Sequence, residues 1–278
     1  MHFDARARKI GAMPYRMPGS RTVIDYAGAS ATGRHREINE DAWGAVESAS
    51  VFVVADGGDG IAPGRLAADL AVTSFRRLFS GRELGHVVQG NAPPQTDPLA
   101  MAVLDANVRI AIAAVGDSAG MACALIGLRL VPPWLVVTAV GDCRLYRYRR
   151  GFDAAGYPAP GELRRLTMDD VYAVDVWKMG GSVEMLTQVE REHPRLVTRL
   201  VGQRPDLDVS VTYFPLADDD LYVLCTNGVT RQLDDETIRS IIANDEEALA
   251  DRCDLLVQTA DERSGHDNVT AVLLHVVG

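Results

Sequence analysis

Short apolar runs that end in, or begin from, a polar turn recur along this chain. The run at residues 51–55 stops at Asp56 and two glycines, and it is too short for a helix. Such a run predicts a buried strand closed by a turn. The same pattern occurs with Asp142 after residues 135–140, with Asn227 after residues 221–225, and in reverse order with Asp267 ahead of residues 269–274.

The polar residues at these strand ends are expected to meet. In an antiparallel sheet, the end of one strand and the start of its neighbour lie on the same edge. We therefore expect Asp56, Asn227 and Asp267 on one rim, and Glu40 and Asp41 are further candidates because they precede the first of these strands. Carboxylate oxygens without histidine or cysteine favour Mg²⁺ or Mn²⁺ over zinc, as in two-metal sites that activate water.

Longer segments have the period of amphipathic helices that cover a sheet. They are residues 62–80, 98–115 and 246–263. No internal repeat, low-complexity tract or linker interrupts residues 22–278, which predicts a single domain. Residues 1–21 are basic and aperiodic, and we expect a poorly ordered arm, with some pairing on a sheet edge as the alternative.

Composition narrows the possible functions. The chain has 278 residues, 47% of them hydrophobic, and a formal charge of −10, which predicts a soluble globular protein and argues against a general nucleic-acid binder. A phosphorylated substrate remains compatible with this charge, because a bound metal ion can dominate the local electrostatic field. Four cysteines without a CxxC pair suggest buried thiols in a reducing cytoplasm. We expect neither a membrane span nor a signal peptide.

Five motifs in order give the chain a family resemblance. Together they resemble the blocks of the PP2C-type (PPM) metal-dependent serine/threonine protein phosphatases, over residues 22–278, with a bacterial character. The motifs are Arg36-x-x-Asn39-Glu40-Asp41, Gly141-Asp142-Cys143-Arg144, His193-Pro194 through Gly202, Thr226-Asn227-Gly228 and Asp267-Asn268.

This resemblance implies both a fold and a reaction. The fold is α+β, a four-layer α-β-β-α sandwich of two mainly antiparallel sheets flanked by helix pairs. The reaction is hydrolysis of phosphoserine or phosphothreonine in proteins by direct attack of a metal-bound hydroxide, without a covalent intermediate. The implied cofactors are two or three metal ions, either Mn²⁺ or Mg²⁺. The implied partner is a phosphorylated protein, with a Ser/Thr kinase as opponent.

The resemblance also assigns metal ligands. Asp56 would bridge two ions, the Gly57 carbonyl would bind one of them, and Asp267 would be a direct ligand. Asp117 matches a further metal-site aspartate of the family. Asn227 stands where the family has aspartate, and it supplies an amide oxygen without a negative charge, which should weaken metal binding.

Other residues would act on water and substrate. Glu40 and Asp41 would hold metal-bound waters, and Arg36 would bind the substrate phosphate with its planar fork of donors. The alternative for Glu40 and Asp41 is a helix-capping or solvated pair of carboxylates. The alternative for Arg36 is a solvated arginine on a loop. His35 and His266 flank the expected site as candidate proton donors, although solvated loop histidines are the more common case.

Departures from the family pattern leave a second function open. Asp59 follows the metal loop and could compensate for Asn227 or face solvent. Because Asn227 removes a charge, the chain could instead be a phosphatase-fold pseudoenzyme that binds a phosphoprotein or kinase as a regulator. A third hypothesis is an acidic scaffold unrelated to phosphate. Residues 167–203 correspond to the family's flap, where Trp177 and Met185 belong either to a small satellite core or to a partner surface.

Overall fold

A computed structural model describes residues 7–11, 14–58, 63–80, 97–152, 154–155 and 157–278. The strands are β1 (Ala7–Gly11), β2 (Tyr15–Arg16), β3 (Val23–Ala31), β4 (Asp41–Val46), β5 (Val51–Asp56), β6 (Ala124–Val131), β7 (Trp134–Val140), β8 (Arg144–Phe152), β9 (Pro158–Arg165), β10 (Val211–Pro215), β11 (Leu221–Cys225) and β12 (Val269–Val277). The helices are α1 (Gly64–Phe79), α2 (Pro98–Ala113), α3 (Tyr172–Lys178), α4 (Val183–Glu192), α5 (Asn227–Thr230), α6 (Asp235–Ile242) and α7 (Leu249–Arg263).

The strands form two antiparallel sheets. The first sheet has the order β1-β3-β12-β11-β8-β9, with β2 also paired to β3. The second has the order β10-β7-β6-β5-β4. Strand β5 therefore belongs to the second sheet, whereas β11 and β12 are neighbours in the first.

The two sheets stack, and helices cover both outer faces. Alternate residues of a strand point to opposite faces, so Phe52 of β5 faces the other sheet while Val53 packs under α1 and α2. In the same way Tyr222 of β11 lies between the sheets and Val223 packs under α7. The predicted four-layer sandwich with flanking helix pairs is confirmed.

Most of the predicted elements are present. The helices predicted at 98–115 and 246–263 are α2 and α7, and the described part of the segment 62–80 forms α1. The predicted flap is a helical hairpin of α3 and α4, in which Val176 is the buried side chain and α4 buries none. Because these helices bury so little, they do not form the satellite core that was one interpretation of the sequence.

Part of the predicted N-terminal arm is paired. Strands β1 and β2 both bond to β3 and extend the edge of the first sheet, which is the alternative that the sequence left open. Residues 1–6 and 12–13 lie outside the described residues. Among the helices that the structure describes, none has the length and apolarity needed to cross a membrane.

We predict that Ile110→Ala in α2 lowers the free energy of unfolding by about 2–5 kcal/mol, because it leaves a cavity in the core under the second sheet. Ile110 is 0% exposed, whereas Ile112 of the same helix is 71% exposed. The matched control Ile112→Ala should change stability by less than about 0.5 kcal/mol. Equal losses for the two variants in urea denaturation would contradict this packing of α2.

Candidate active site

The candidate site lies where the two sheets meet at one end of the sandwich. Asp56 ends β5 and is the register partner of Asp41, which begins β4. Asn227 follows β11 and Asp267 precedes β12. Both of these strands belong to the first sheet, whereas β4 and β5 belong to the second. The expected convergence is found. Asn227 and Asp267 do lie at neighbouring strands of one sheet, but the placement of Asp56 on the same sheet was wrong, because β5 belongs to the other sheet.

Glu40 and Asn268 hold these loops against each other. The Glu40 N–H donates to Asn268 Oδ1 at 2.9 Å, and the Glu40 side chain accepts from the Gly64 N–H at 3.0 Å. Asn268 Nδ2 donates to the carbonyl oxygens of Thr32 and Ile38 at 2.6 and 2.9 Å. The residue after Asp267 therefore fixes the loop that carries Arg36 and Glu40.

Two glycines allow the backbone beside Asp56 to close tightly. A Cβ at Gly57 would lie 2.2 Å from the Gly64 carbonyl oxygen, and one at Gly64 would lie 1.9 Å from the Gly57 carbonyl oxygen. Because side chains cannot approach backbone so closely, both positions require glycine. The N–H of Gly57 donates to the carbonyl oxygen of Glu40 at 3.2 Å. This packing fixes the backbone of Gly57, the residue whose carbonyl the resemblance assigns to a metal ion.

Buried carboxyl groups crowd this junction. Burial, together with the nearby Asp267 and Glu40, raises the pKa of Asp41 to about 7, although hydroxyls of Thr270 and Thr226 partly oppose the shift. Burial and the carboxylates of Asp41 and Asp142 raise the pKa of Asp56 well above its usual range. Such repulsion between like charges is relieved by protons or by a cation.

Two guanidinium groups hold the carboxylate of Asp267. Arg36 Nη2 donates to Asp267 Oδ1 at 2.9 Å, and Arg231 Nη1 donates to Asp267 Oδ2 at 3.2 Å. The Arg36 Nε also donates to the backbone carbonyl of His266 at 2.9 Å, and its Nη1 lies 3.9 Å from Glu40 Oε2. Arg36 therefore lies directly beside the carboxylates, with one third of its side chain exposed to solvent.

Asn227 is turned toward a carboxylate. Its Nδ2 donates to Asp142 Oδ2 at 3.1 Å, and Arg231 Nη2 lies 3.7 Å from the same oxygen. Burial raises the pKa of Asp142, while Arg231 and the bond from Asn227 lower it. Asp142 belongs to a sequence motif, but its contact with the site was not predicted.

The chemistry of the donors fits a divalent cation. Asp41 Oδ1 and Asn227 Oδ1 are buried without a hydrogen-bond partner in the described structure. With Asp56, Asp267 and the Gly57 carbonyl they make a set of hard oxygen donors. No three His, Cys, Asp or Glu side chains among the described residues are placed so that they could hold a metal ion. In this conformation both oxygens of Asp267 bond to arginines instead.

The remaining predicted residues lie at or beyond the rim. Asp117 is exposed on a 3₁₀ turn before β6, and it has no hydrogen bond or ion pair with another described residue. His35 and His266 stack on each other with ring centroids 4.4 Å apart, beside Arg36. Asp59 lies outside the described residues. Burial raises the pKa of the Cys225 thiol to about 12, which disfavours a nucleophilic role.

A groove leads from the site to the flap. Its volume is about 520 Å³, and it is lined by Asp142 and Asn227 at one end and by Trp177 and Arg195 toward α3 and α4. The pKa of Arg195 is lowered by burial and by the neighbouring Arg144 and Arg231. The groove thus joins the carboxylate cluster to a wall of apolar residues and charged residues of both signs, which is suited to a peptide.

Sequence reasoning missed the two arginines that shape the cluster. Arg231 lies one helical turn after Asn227, and this spacing alone could have placed both side chains on one face. Arg65 Nη1 donates to the carbonyl oxygens of Asn39 and Asp41 at 3.1 and 3.2 Å, so it braces the loop that carries Glu40. Nothing in the sequence pattern indicates this contact of Arg65.

Known proteins share both the sequence and the fold. The chain is 25% identical to the serine/threonine phosphatase Stp of Listeria welshimeri over 249 residues, 87% of this chain and 92% of Stp. It is 27% identical to the serine/threonine protein phosphatase PstP of Mycobacterium tuberculosis over 265 residues, 92% of this chain and 45% of PstP. No protein-family model matches the chain.

Solved structures agree with these relatives. The crystal structure of M. tuberculosis PstP superposes with a TM-score of 0.75 at 25% identity, covering 92% of this chain and 99% of that one. The PstP catalytic domain in complex with two manganese ions gives a TM-score of 0.73 at 26% identity, covering 92% of this chain and 100% of that one. The chain is therefore a homologue of the bacterial PP2C-type serine/threonine phosphatases, and the predicted class of enzyme is confirmed.

We predict that Asp41 makes the metal-free protein less stable as pH rises. Below about pH 4 this carboxyl is protonated in both the folded and the unfolded state. Its pKa is raised in the folded state, so the stability it contributes is lost as pH rises toward about 7. In thermal melts with EDTA, the Tm of Asp41→Asn minus that of the wild type should therefore grow from pH 5 to pH 8. A constant difference would contradict the raised pKa.

Proposed function

We propose that this chain is a Mn²⁺- or Mg²⁺-dependent phosphatase that hydrolyses phosphoserine and phosphothreonine in proteins. The observation that carries the proposal is the carboxylate cluster at the junction of the sheets, where burial and then neighbouring carboxylates raise the pKa values of Asp41 and Asp56. Sequence similarity to Stp and PstP supports the same function. The substrate would be a phosphoprotein, opposed by a Ser/Thr kinase in the cytoplasm.

Asp56, Asp267, the Gly57 carbonyl and the Asn227 amide oxygen would hold the metal ions. Asp117 would join them only after a change of its exposed loop. Bound there, divalent cations lower the pKa of water and neutralise the charge of a phosphate. Glu40 and Asp41 would orient water through their carboxylates, and the unpartnered Oδ1 of Asp41 supports that role.

Arg36 would hold the phosphate. Its guanidinium already lies against two carboxylates at the rim, 2.9 Å from Asp267 and 3.9 Å from Glu40. Because these contacts involve a partly exposed side chain, a phosphate can compete for the same donors. The groove toward Trp177 and Arg195 would accept the peptide on either side of the phosphorylated residue.

A specific observation favours a second candidate, a pseudoenzyme that binds a phosphoprotein or kinase without turnover. Asn227 brings no charge to a ligand position, and its Nδ2 bonds to Asp142. Both oxygens of Asp267 are taken by arginines as well. In this candidate the groove and Arg36 retain their binding roles, while the cluster holds metal too weakly for catalysis.

Phosphopeptide hydrolysis against Mn²⁺ concentration separates the two candidates. For the phosphatase, wild type turns over and Asp56→Ala loses on the order of 10³-fold in kcat/KM, since a bridging ligand supports several kcal/mol of charge stabilisation. The control Asp206→Ala changes an exposed carboxylate and should keep full activity. Turnover by Asn227→Asp alone would establish the pseudoenzyme. Full activity in Asp56→Ala would contradict the site.

We predict that Arg36→Ala raises KM for a phosphopeptide by about tenfold or more, because a charge-assisted bidentate contact contributes about 1.5–3 kcal/mol. Arg36→Lys keeps the positive charge but loses the planar pair of donors, so its KM should lie between those of Arg36→Ala and wild type. Steady-state kinetics at saturating Mn²⁺ measure the effect. A change confined to the Mn²⁺ requirement, with KM unaltered, would show that Arg36 acts on the metal and not on the phosphate.

A further inference from the structure

Arg231 bridges two carboxylates at the solvent side of the cluster without a role in the reaction described above. It follows α5 directly, and its N–H donates to the carbonyl oxygen of Asn227 at 2.8 Å, so the two side chains lie on the same helical face. Its guanidinium connects Asp267 Oδ2 at 3.2 Å with Asp142 Oδ2 at 3.7 Å. Asp142 lies in the connection from β7 to β8, which joins the two sheets, and Asp267 precedes β12 of the first sheet.

The position of Arg231 places a fixed positive charge on a proposed metal ligand. Each oxygen of Asp267 already accepts from an arginine, so a cation that binds Asp267 would meet two guanidinium charges unless one of them moves away. Arg36 has an alternative anion in the substrate phosphate. For Arg231, the described carboxylates within ion-pair distance are Asp142 and Asp267, both in the cluster itself.

Another positive side chain lies close to Arg231. The pKa of Arg195 is lowered by burial and then by Arg144 and Arg231, so a guanidinium that turned toward Arg195 would meet a like charge. Arg144 is engaged by Asp169, with Nη2 to Oδ2 at 2.8 Å. The carboxylates of the cluster are thus the favourable place for the Arg231 charge, and Asn227 next to it adds no negative charge that would attract a metal ion.

We propose that Arg231 is a built-in counter-ion, held by Asp142, that competes with the divalent cation for Asp267 and so raises the metal concentration that the site requires. This inference rests on the proposed metal site. A unit charge in contact with a ligand carboxylate opposes a divalent ion by Coulomb repulsion, which solvent and salt reduce at a partly exposed position. Removal of the charge should therefore tighten metal binding on the order of tenfold.

The test measures Mn²⁺ binding alone, by electron paramagnetic resonance of the free ion and by calorimetry, without any substrate. Arg231→Gln should bind Mn²⁺ about tenfold more tightly than wild type. Arg231→Lys keeps the charge and should stay within about threefold of wild type, which guards against an effect of local misfolding. The control Arg239→Gln removes an exposed arginine paired with Glu236 on α6 and should leave the affinity unchanged.

Each other result overturns the inference. Equal or weaker Mn²⁺ binding by Arg231→Gln, with clear binding by wild type, would contradict it and leave the proposed phosphatase standing. Equally tight binding by Arg231→Lys and Arg231→Gln would show that charge is not the cause. Absence of Mn²⁺ binding in wild type and in every variant would remove the metal site and the proposed function together.

Discussion

Repulsion between buried carboxylates at the junction of two sheets is the constraint on which the rest of this structure depends. The register of β4 and β5 places Asp41 opposite Asp56, and the ends of β7 and β11 add Asp142 and Asn227. Such a cluster is unstable unless a cation or protons compensate it. The glycine contacts, the Asn268 bonds and the Arg65 brace keep the loops in place despite that repulsion.

Two kinds of cation can compensate the cluster. Arg36 and Arg231 do so from within the chain, and they bond to both oxygens of Asp267. A divalent metal ion would do so from solution and would add the charge that phosphate chemistry needs. In the proposed site, a divalent ion at Asp267 would compete with these two guanidinium groups.

Much of the fold could be predicted from the sequence because buried positions recur along a strand or helix with a regular spacing, which the apolar residues reproduce. Residues 51–55 alternate between two cores, and α2 and α7 have continuous apolar faces, so these elements were identified correctly. The assignment of Asn227 and Asp267 to one sheet was right, but the assignment of Asp56 to that sheet was wrong. Strand-end patterns show which residues reach an edge, but they do not show which of two stacked sheets contains each strand.

The site was less predictable than the fold, since it depends on long side chains. The family pattern predicted roles for Asp56, Asp267 and Arg36, which stay predictions, but it could not indicate that Arg231 would bridge carboxylates from two loops. Helix α5 has a single turn, which is too short for a periodic pattern of apolar residues to show which way the Arg231 side chain points. The role of Asp117 stays a prediction, because its exposed turn makes no described contact with the cluster.

The most direct measurement is anomalous scattering at the manganese edge from crystals of the wild-type protein grown with MnCl₂. The account predicts anomalous peaks among Asp56, Asp267 and the Gly57 carbonyl, with the Arg231 guanidinium displaced from Asp267. Manganese confined to other parts of the surface, with Arg36 and Arg231 still bonded to Asp267 at saturating Mn²⁺, would contradict it.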